Sequence, residues 1–273
     1  MDKKYKILIA LILIIIIITI ILCLPKIIEL YGNCLYCKTL SPSEKSIIES
    51  TSKNFISFSN IPKNIFQTWE DEESIPPCCL TVINKIRENN PDWNYKFYSA
   101  EDRRNLIINH FDEKLLHIYD NTRNKAQQSD IFRYCVLYQY GGLYLDIKAG
   151  VNGNLNDLGN ILSGKILYCK WPKPQMCNFY NHAATSILLW PKKHPIMKSL
   201  IKIITNRMLT KPKGGNTCIV GPDIYAMVMT KYFPTKYMLI SNNYLDNFFS
   251  HDGTNGEYYE YVYSRKLHWH QNQ

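Results

Sequence analysis

The strongest hydrophobic signal in the chain is the run from Ile7 to Leu24, broken only by Thr19. As a helix rising ~1.5 Å per residue it spans about 27 Å, close to the ~30 Å hydrocarbon core of a bilayer. A cleaved signal peptide would have a shorter apolar region, ~7–15 residues, and a small-residue cleavage site. Leu24-Pro25-Lys26 is not such a site. Lys3, Lys4 and Lys6 precede the run, so the positive-inside rule leaves the N-terminus in the cytoplasm. The pattern predicts a cytoplasmic tail (1–6), a transmembrane anchor (7–24) and single-pass type II topology, with everything after Lys26 outside the cytosol. Residues 25–60 are rich in Lys, Ser, Asn and Thr and lack sustained periodicity, so they are expected to form a stem.

The pattern changes at Ile61-Pro62-Lys63, where the folded domain (61–273) is expected to begin. Asn64 to Trp69 is apolar and aromatic enough for a first strand. Pro76-Pro77 opens a helix that Asn89-Asn90-Pro91 stops. Trp93 to Tyr98 alternates aromatic and polar residues as a second strand does. Ser99 caps the next helix, with Asp102 completing a capping box. Strand, helix, strand, helix is the opening of a doubly wound α/β sheet. From about Arg123 to Tyr140 a helix places Ala126, Asp130, Arg133 and Leu137 on one face, with Ile131, Cys135 and Tyr138 on an adjacent apolar stripe. Gly141-Gly142 supplies the left-handed stop, and Leu143 to Ile147 forms a buried strand. In such sheets ligands collect beyond the C-terminal ends of the strands, which is where Asp146 falls. Further on, 166–169 and 186–190 are expected to be strands, 195–208 and 222–232 helices, and 241–273 loop.

Composition narrows the class. With 46% hydrophobic and 13% aromatic residues the chain can bury a core and is not disordered. Its net charge of +9 suits anionic partners, but the charges are scattered rather than gathered in the patch a nucleic acid needs. There are nine cysteines. Cys34 and Cys37 form one CxxC, without the second pair of a four-thiolate zinc site. Cys135, inside a helical pattern, is expected to be a small buried hydrophobe.

Asp130, Arg133, Tyr144, Asp146 and Lys148 then concentrate the chemistry. A helix face offers a carboxylate and a guanidinium one turn apart. A glycine turn leads back to a strand ending in Asp-Ile-Lys. A nucleotide-sugar site needs such parts: charged groups for sugar hydroxyls, positive charge for a diphosphate, an aromatic face for a base. The bland alternative is an intrahelical i, i+3 ion pair beside a surface strand end.

The stretch from Ala126 to Asp146 (Ala126-Gln-Gln-Ser-Asp130-Ile-Phe-Arg133-Tyr-Cys-Val-Leu-Tyr-Gln-Tyr-Gly141-Gly142-Leu-Tyr144-Leu-Asp146) resembles the DXD-containing region of glycosyltransferase family 32. Ile61-Pro62-Lys63 through Trp69 resembles that family's opening strand, and Gly221-Pro222 its downstream helix start. The resemblance implies a GT-A fold and a retaining hexosyltransferase, mannose being the first expected sugar, that uses a GDP- or UDP-sugar on a glycan, glycolipid or protein-linked acceptor in a Golgi- or ER-type lumen. It implies that Asp130 and Arg133 hold the donor sugar and that Asp146 is the first Asp of DXD. Phe66, Gln67, Trp69, Ala126 and Tyr144 would line the nucleotide pocket.

One position departs from the pattern. The second Asp of DXD, which would bind Mn2+ or Mg2+, is Lys148, and an ammonium cannot ligate a cation. Two readings follow. Lys148 itself neutralises the leaving diphosphate and the enzyme needs no metal, which is slightly favoured. Or Asp146 with His268 and His270 still holds a metal. A catalytically inactive GT-A module that binds nucleotide sugar or glycan is the alternative function.

Overall fold

The structure, a computed structural model, describes residues 18–19, 21–23, 40–52, 61–158, 166–169, 184–210, 219–232, 238–241, 248–250 and 252–265. The expected anchor is covered only at 18–19 and 21–23, which are helical. Among the described residues no helix is long and apolar enough to cross a membrane.

The elements run α1 (Pro42–Ser52), β1 (Asn64–Thr68), α2 (Pro77–Asn89), β2 (Asn94–Tyr98), α3 (Ala100–His110), α4 (Glu113–Asn121), α5 (Lys125–Tyr140), β3 (Gly142–Leu145), β4 (Gly150–Val151), β5 (Ile166–Cys169), β6 (Ile187–Trp190), α6 (Pro195–Thr210), α7 (Pro222–Tyr232), β7 (Met238–Ser241), β8 (Phe249–Ser250) and α8 (Glu257–Ser264). The main sheet has the order β2-β1-β3-β6. β1 pairs parallel with β2 and β3, as a doubly wound sheet requires, while β6 runs antiparallel to β3. Two ribbons, β4-β8 and β5-β7, complete the strands.

Side-chain alternation divides the sheet into two faces. Phe66, Tyr144, Leu188 and Trp190 join the cluster under α5, α6 and α7. Ile65, Leu143, Leu145, Ile187 and Leu189 join the cluster that contains Val82 and Ile86 of α2. This mixed α/β arrangement fits the GT-A expectation.

The local rules hold where the sequence states them plainly. Ser99 and Asp102 form the reciprocal capping box of α3. Asn124 caps α5, accepting from the amides of Ala126 and Gln127, so the helix begins at Lys125 rather than at about Arg123. Gly141 and Gly142 have φ of 66° and 125°. A Cβ on Gly141 would come within 2.4 Å of the Lys192 amide nitrogen, and one on Gly142 within 2.5 Å of the Asn64 carbonyl oxygen. The turn from α5 into β3 therefore admits no side chain at either position.

Two expectations are corrected. The stem was placed at 25–60, yet residues 40–52 are part of the folded core. Leu40 and Ile48 sit in the α5 cluster, and Glu44 forms a bidentate pair with Arg207 of α6 at 2.6 and 3.2 Å, both side chains almost fully buried. The weak periodicity of this helix hid that contact, because its partner lies far along the chain. The segment 241–273 was expected to be loop. It contains β8 and α8, whose short lengths and tyrosine-rich sequence carry little periodic signal. Cys135 is fully buried as expected, and Cys78, Cys79 and Cys135 are free thiols. Cys34 and Cys37 lie outside the described residues.

Removing one partner of a buried ion pair strands the other charge at a cost of about 3–5 kcal/mol. Glu44→Ala should therefore lower the thermal midpoint markedly, and a chain trimmed to begin at Ile61 should be less stable than one beginning at residue 40. Scanning calorimetry of the three proteins checks this. Equal midpoints would mean that α1 does not contribute to the domain.

Candidate functional site

The site is built where α5 passes the C-terminal end of β3. Tyr144 and Asp146, two residues apart, fall on the α5 side of the sheet, opposite Asp130 and Arg133 one turn apart on the helix. The Arg133 guanidinium occupies the gap. Its Nη2 lies 3.2 Å from Asp130 Oδ1 and 3.3 Å from Asp146 Oδ1. Its Nη1 donates to the Thr185 carbonyl at 2.9 Å and to Thr185 Oγ1 at 2.7 Å. Its plane is centred 4.9 Å from the Tyr144 ring. The Tyr144 hydroxyl donates to the same Asp146 oxygen at 3.0 Å. Four of the sequence-predicted residues are thus one connected cluster.

Asp146 is the most open carboxylate of the cluster, its side chain 30% exposed against 14% for Asp130. Its backbone is fastened from the other face of the sheet. Gln67, fully buried, donates to the Asp146 carbonyl at 3.1 Å, and the Tyr95 hydroxyl donates to Gln67 Oε1 at 3.1 Å. Gln67 therefore holds the strand end through main-chain contacts. Phe66 points to the α5 face and is 2% exposed among Tyr98 and Tyr140. It was expected to line the base pocket, and the structure makes it a core residue instead, because strand alternation carries it inward. Trp69 is half-buried, donates through Nε1 to the Ser74 carbonyl and meets Tyr258 edge-on at 6.2 Å. Ala126 lies in the first turn of α5.

Some contributors escaped the sequence reading. Arg103, fully buried, donates to Thr68 Oγ1 at 2.7 Å, the Trp69 carbonyl at 2.8 Å and Glu70 Oε1 at 2.7 Å. Glu70 reaches on to Lys125, the first residue of α5, at 2.9 Å. The exit of β1 and the start of α5 are thereby locked together. Nothing in the local sequence distinguishes Arg103 from its exposed neighbour Arg104. Thr185 was equally silent, being a short polar residue before a strand.

Among the described residues no set of ligands for a divalent ion comes together. Asp146 Oδ1 is already taken by a guanidinium and a hydroxyl, the next candidate position is the ammonium of Lys148, and no group of three His, Cys, Asp or Glu forms among the described residues. His268 and His270 lie outside the described residues.

Burial pushes the Asp130 carboxyl up to about 7, against the pull of Arg133 and with a further push from Asp146. Its ordinary value is 3.8, so between those limits the folded state holds a proton that the unfolded chain has lost. This contribution to stability is complete below the lower value and declines as pH rises toward the upper one. The thermal midpoint should fall between about pH 4 and about pH 7, and Asp130→Asn should flatten that fall. Calorimetry across the range checks both; an unchanged slope in the variant would show that Asp130 does not titrate there.

With this geometry in place, the comparisons with known proteins have a physical counterpart. A family model described as a glycosyltransferase sugar-binding region containing a DXD motif matches residues 76–162. Inositol phosphoceramide mannosyltransferase 3 of Schizosaccharomyces pombe is 35% identical over 98 residues, 36% of this chain and 27% of that protein. The initiation-specific alpha-1,6-mannosyltransferase of Candida albicans is 28% identical over 176 residues, 56% of this chain and 45% of that one. An uncharacterized glycosyltransferase of Acanthamoeba polyphaga mimivirus is 28% identical over 195 residues, covering 68% of this chain and 72% of that one. The chain spans about a quarter of the length of the inositol phosphoceramide mannosyltransferases that it matches. Among solved structures, the PaToxG glycosyltransferase superposes with a TM-score of 0.50 at 17% identity, over 77% of this chain and 81% of that one, which is a likeness of fold. The match across 76–162 contains Asp130, Arg133, Tyr144 and Asp146, so the connected cluster lies inside the region that is similar to DXD-containing glycosyltransferases.

Proposed function

We propose that the protein is a hexosyltransferase that takes a sugar from a GDP- or UDP-sugar donor. The observation that carries this reading is the Arg133 guanidinium bridging Asp130 and Asp146 at the C-terminal end of a parallel strand, inside the matched sugar-binding region. Asp130 and Arg133 hold the donor sugar by charge-assisted hydrogen bonds to its hydroxyls. Tyr144 keeps Asp146 facing the diphosphate. Trp69, held at the exit of β1 by its bond to Ser74, offers an aromatic face to the base.

Departure of a nucleoside diphosphate leaves developing negative charge that needs a cation. Lys148 occupies the position where the motif otherwise has a second carboxylate, so an ammonium supplies that charge and no divalent ion is required. No side chain of the cluster is arranged as a nucleophile. Leaving-group departure with attack on the same face accounts for retention. Mannose as the sugar, and a glycan, glycolipid or protein-linked acceptor, rest on the relatives' names and the family resemblance. Lys3, Lys4 and Lys6 before the apolar run support a type II anchor that puts the domain in a Golgi- or ER-type lumen.

A second reading, a GT-A module that binds nucleotide sugar without turning it over, is favoured by the same Lys148. The deciding experiment uses the full chain in detergent, given GDP- and UDP-sugars with EDTA or with Mn2+. Hydrolysis or transfer from one donor, equal in EDTA, is expected. Asp130→Ala should lower that turnover by about 100-fold. Turnover that EDTA abolishes and Mn2+ restores would overturn metal independence. Turnover untouched by Asp130→Ala would overturn the site, and binding without turnover would select the second reading.

A further inference from the structure

The C-terminal segment that carries β8 and α8 packs against the chain just after Lys148. β8 pairs with β4 directly after Lys148, Gly150 opposite Ser250 and Val151 opposite Phe249. The Gly253 amide donates to the Lys148 carbonyl at 2.8 Å. Gly150 and Gly253 approach so closely that a Cβ on Gly253 would lie 3.1 Å from the Gly150 Cα. Residues 252–256, which lead into α8, are folded on themselves. The Asp252 carboxylate accepts from the amides of Thr254 at 3.0 Å and Gly256 at 2.9 Å, and Thr254 Oγ1 accepts from the Tyr258 amide at 3.0 Å. The start of α8 is thereby held at a fixed place relative to the backbone of Lys148.

That placement brings two aromatic rings to one ammonium. Lys148 Nζ is 5.9 Å from the Tyr258 ring centroid and 5.7 Å from that of Tyr259. The two rings stand 5.4 Å apart at 79°, so they form a notch whose walls both face the cation. Lys148 is only 9% exposed, and burial of this degree costs an ammonium part of its hydration. Aromatic faces return some of that loss, and they restrict a four-carbon stem that would otherwise sample many rotamers. Tyr258 also meets Trp69 edge-on and packs with Ile147 and Cys79. The notch is therefore continuous with the wall of the candidate site.

We propose that Tyr258 and Tyr259 are positioning residues that hold the Lys148 ammonium where a donor diphosphate binds, so that the C-terminal helix completes a cation site made from a lysine. This rests on the nucleotide-sugar reading above. The aromatic residues act through Lys148 rather than by touching the sugar, and this sets them apart from general packing. A substitution that removes a ring face should weaken phosphate binding while leaving binding of the base and ribose intact.

The test measures binding of UDP, GDP, uridine and guanosine to the full chain by calorimetry. Lys148→Met should weaken the preferred diphosphate by about tenfold or more while leaving its nucleoside unchanged. Tyr259→Leu should weaken the diphosphate by about three- to fivefold, again sparing the nucleoside. It should add nothing once Lys148→Met is present. Tyr259→Phe, which keeps the ring, should restore most of the affinity; Tyr258→Leu serves if Tyr259→Leu does not fold. Equal losses for nucleoside and diphosphate, additive effects in the double variant, or no effect at Tyr259 would each overturn the proposal while leaving the nucleotide-sugar reading standing. A wild-type chain that binds none of the four probes would overturn that reading and the proposal with it.

Discussion

The Arg133 guanidinium is the charge around which the site is organised. A guanidinium removed from water must find partners for its donors, and the fold supplies two carboxylates, a threonine carbonyl and hydroxyl, and an aromatic face. The partners come from three elements: Asp130 from α5, Tyr144 and Asp146 from β3 and its end, Thr185 from the entry to β6. The same cation therefore sets the spacing between helix and sheet and lowers the repulsion between two acidic groups that would otherwise push apart. Burial disfavours the charged form of Arg133, but the surrounding tyrosines and carboxylates outweigh it and hold the guanidinium charged. A sugar arriving here would meet hydrogen-bonding groups already oriented, which is the condition for selective recognition of hydroxyls.

Around this centre the supporting contacts are made to backbone. Gln67 grips the Asp146 carbonyl from beneath the sheet, and Arg103 grips the Trp69 carbonyl from the side. Each of these buried polar side chains holds a main-chain carbonyl, and that part of its grip depends little on the identity of the residue held. The side chains of Trp69 and Asp146 keep contacts of their own, Trp69 with Ser74 and Tyr258 and Asp146 with Arg133 and Tyr144.

Much of this was legible in the sequence because the signals were local. The capping box at Ser99 and Asp102, the glycine pair after α5 and the one-face spacing of Asp130 and Arg133 are all short-range statements, and short-range physics decides them. Phe66 failed for a reason the sequence also contained. Once β1 is a strand, period-two alternation puts Phe66 and Gln67 on opposite faces, so both could not line one pocket. Other features depended on partners far away in the chain. Glu44 has no local sign that it is an ion-pair residue, Thr185 looks like any strand-entry polar residue, and Tyr258 lies in a segment whose fold is set by a two-residue ribbon with β4. Long-range contacts of this kind leave no trace in hydrophobic periodicity.

The docking of α1 has a kinetic side. Glu44 and Arg207 are separated by 163 positions. At a synthesis rate of about 5–20 residues per second, roughly 8–30 s pass between emergence of the glutamate and emergence of its arginine. During that interval Ile48 and the carboxylate of α1 have no partner, and α6, which buries them, does not yet exist. The helix is therefore among the first parts of the domain to be made and among the last to be seated. Closure of the core by α1 reports that the C-terminal half has folded, and a ribosome that stalled before Arg207 would leave an N-terminal helix with its apolar face open to capture by chaperones.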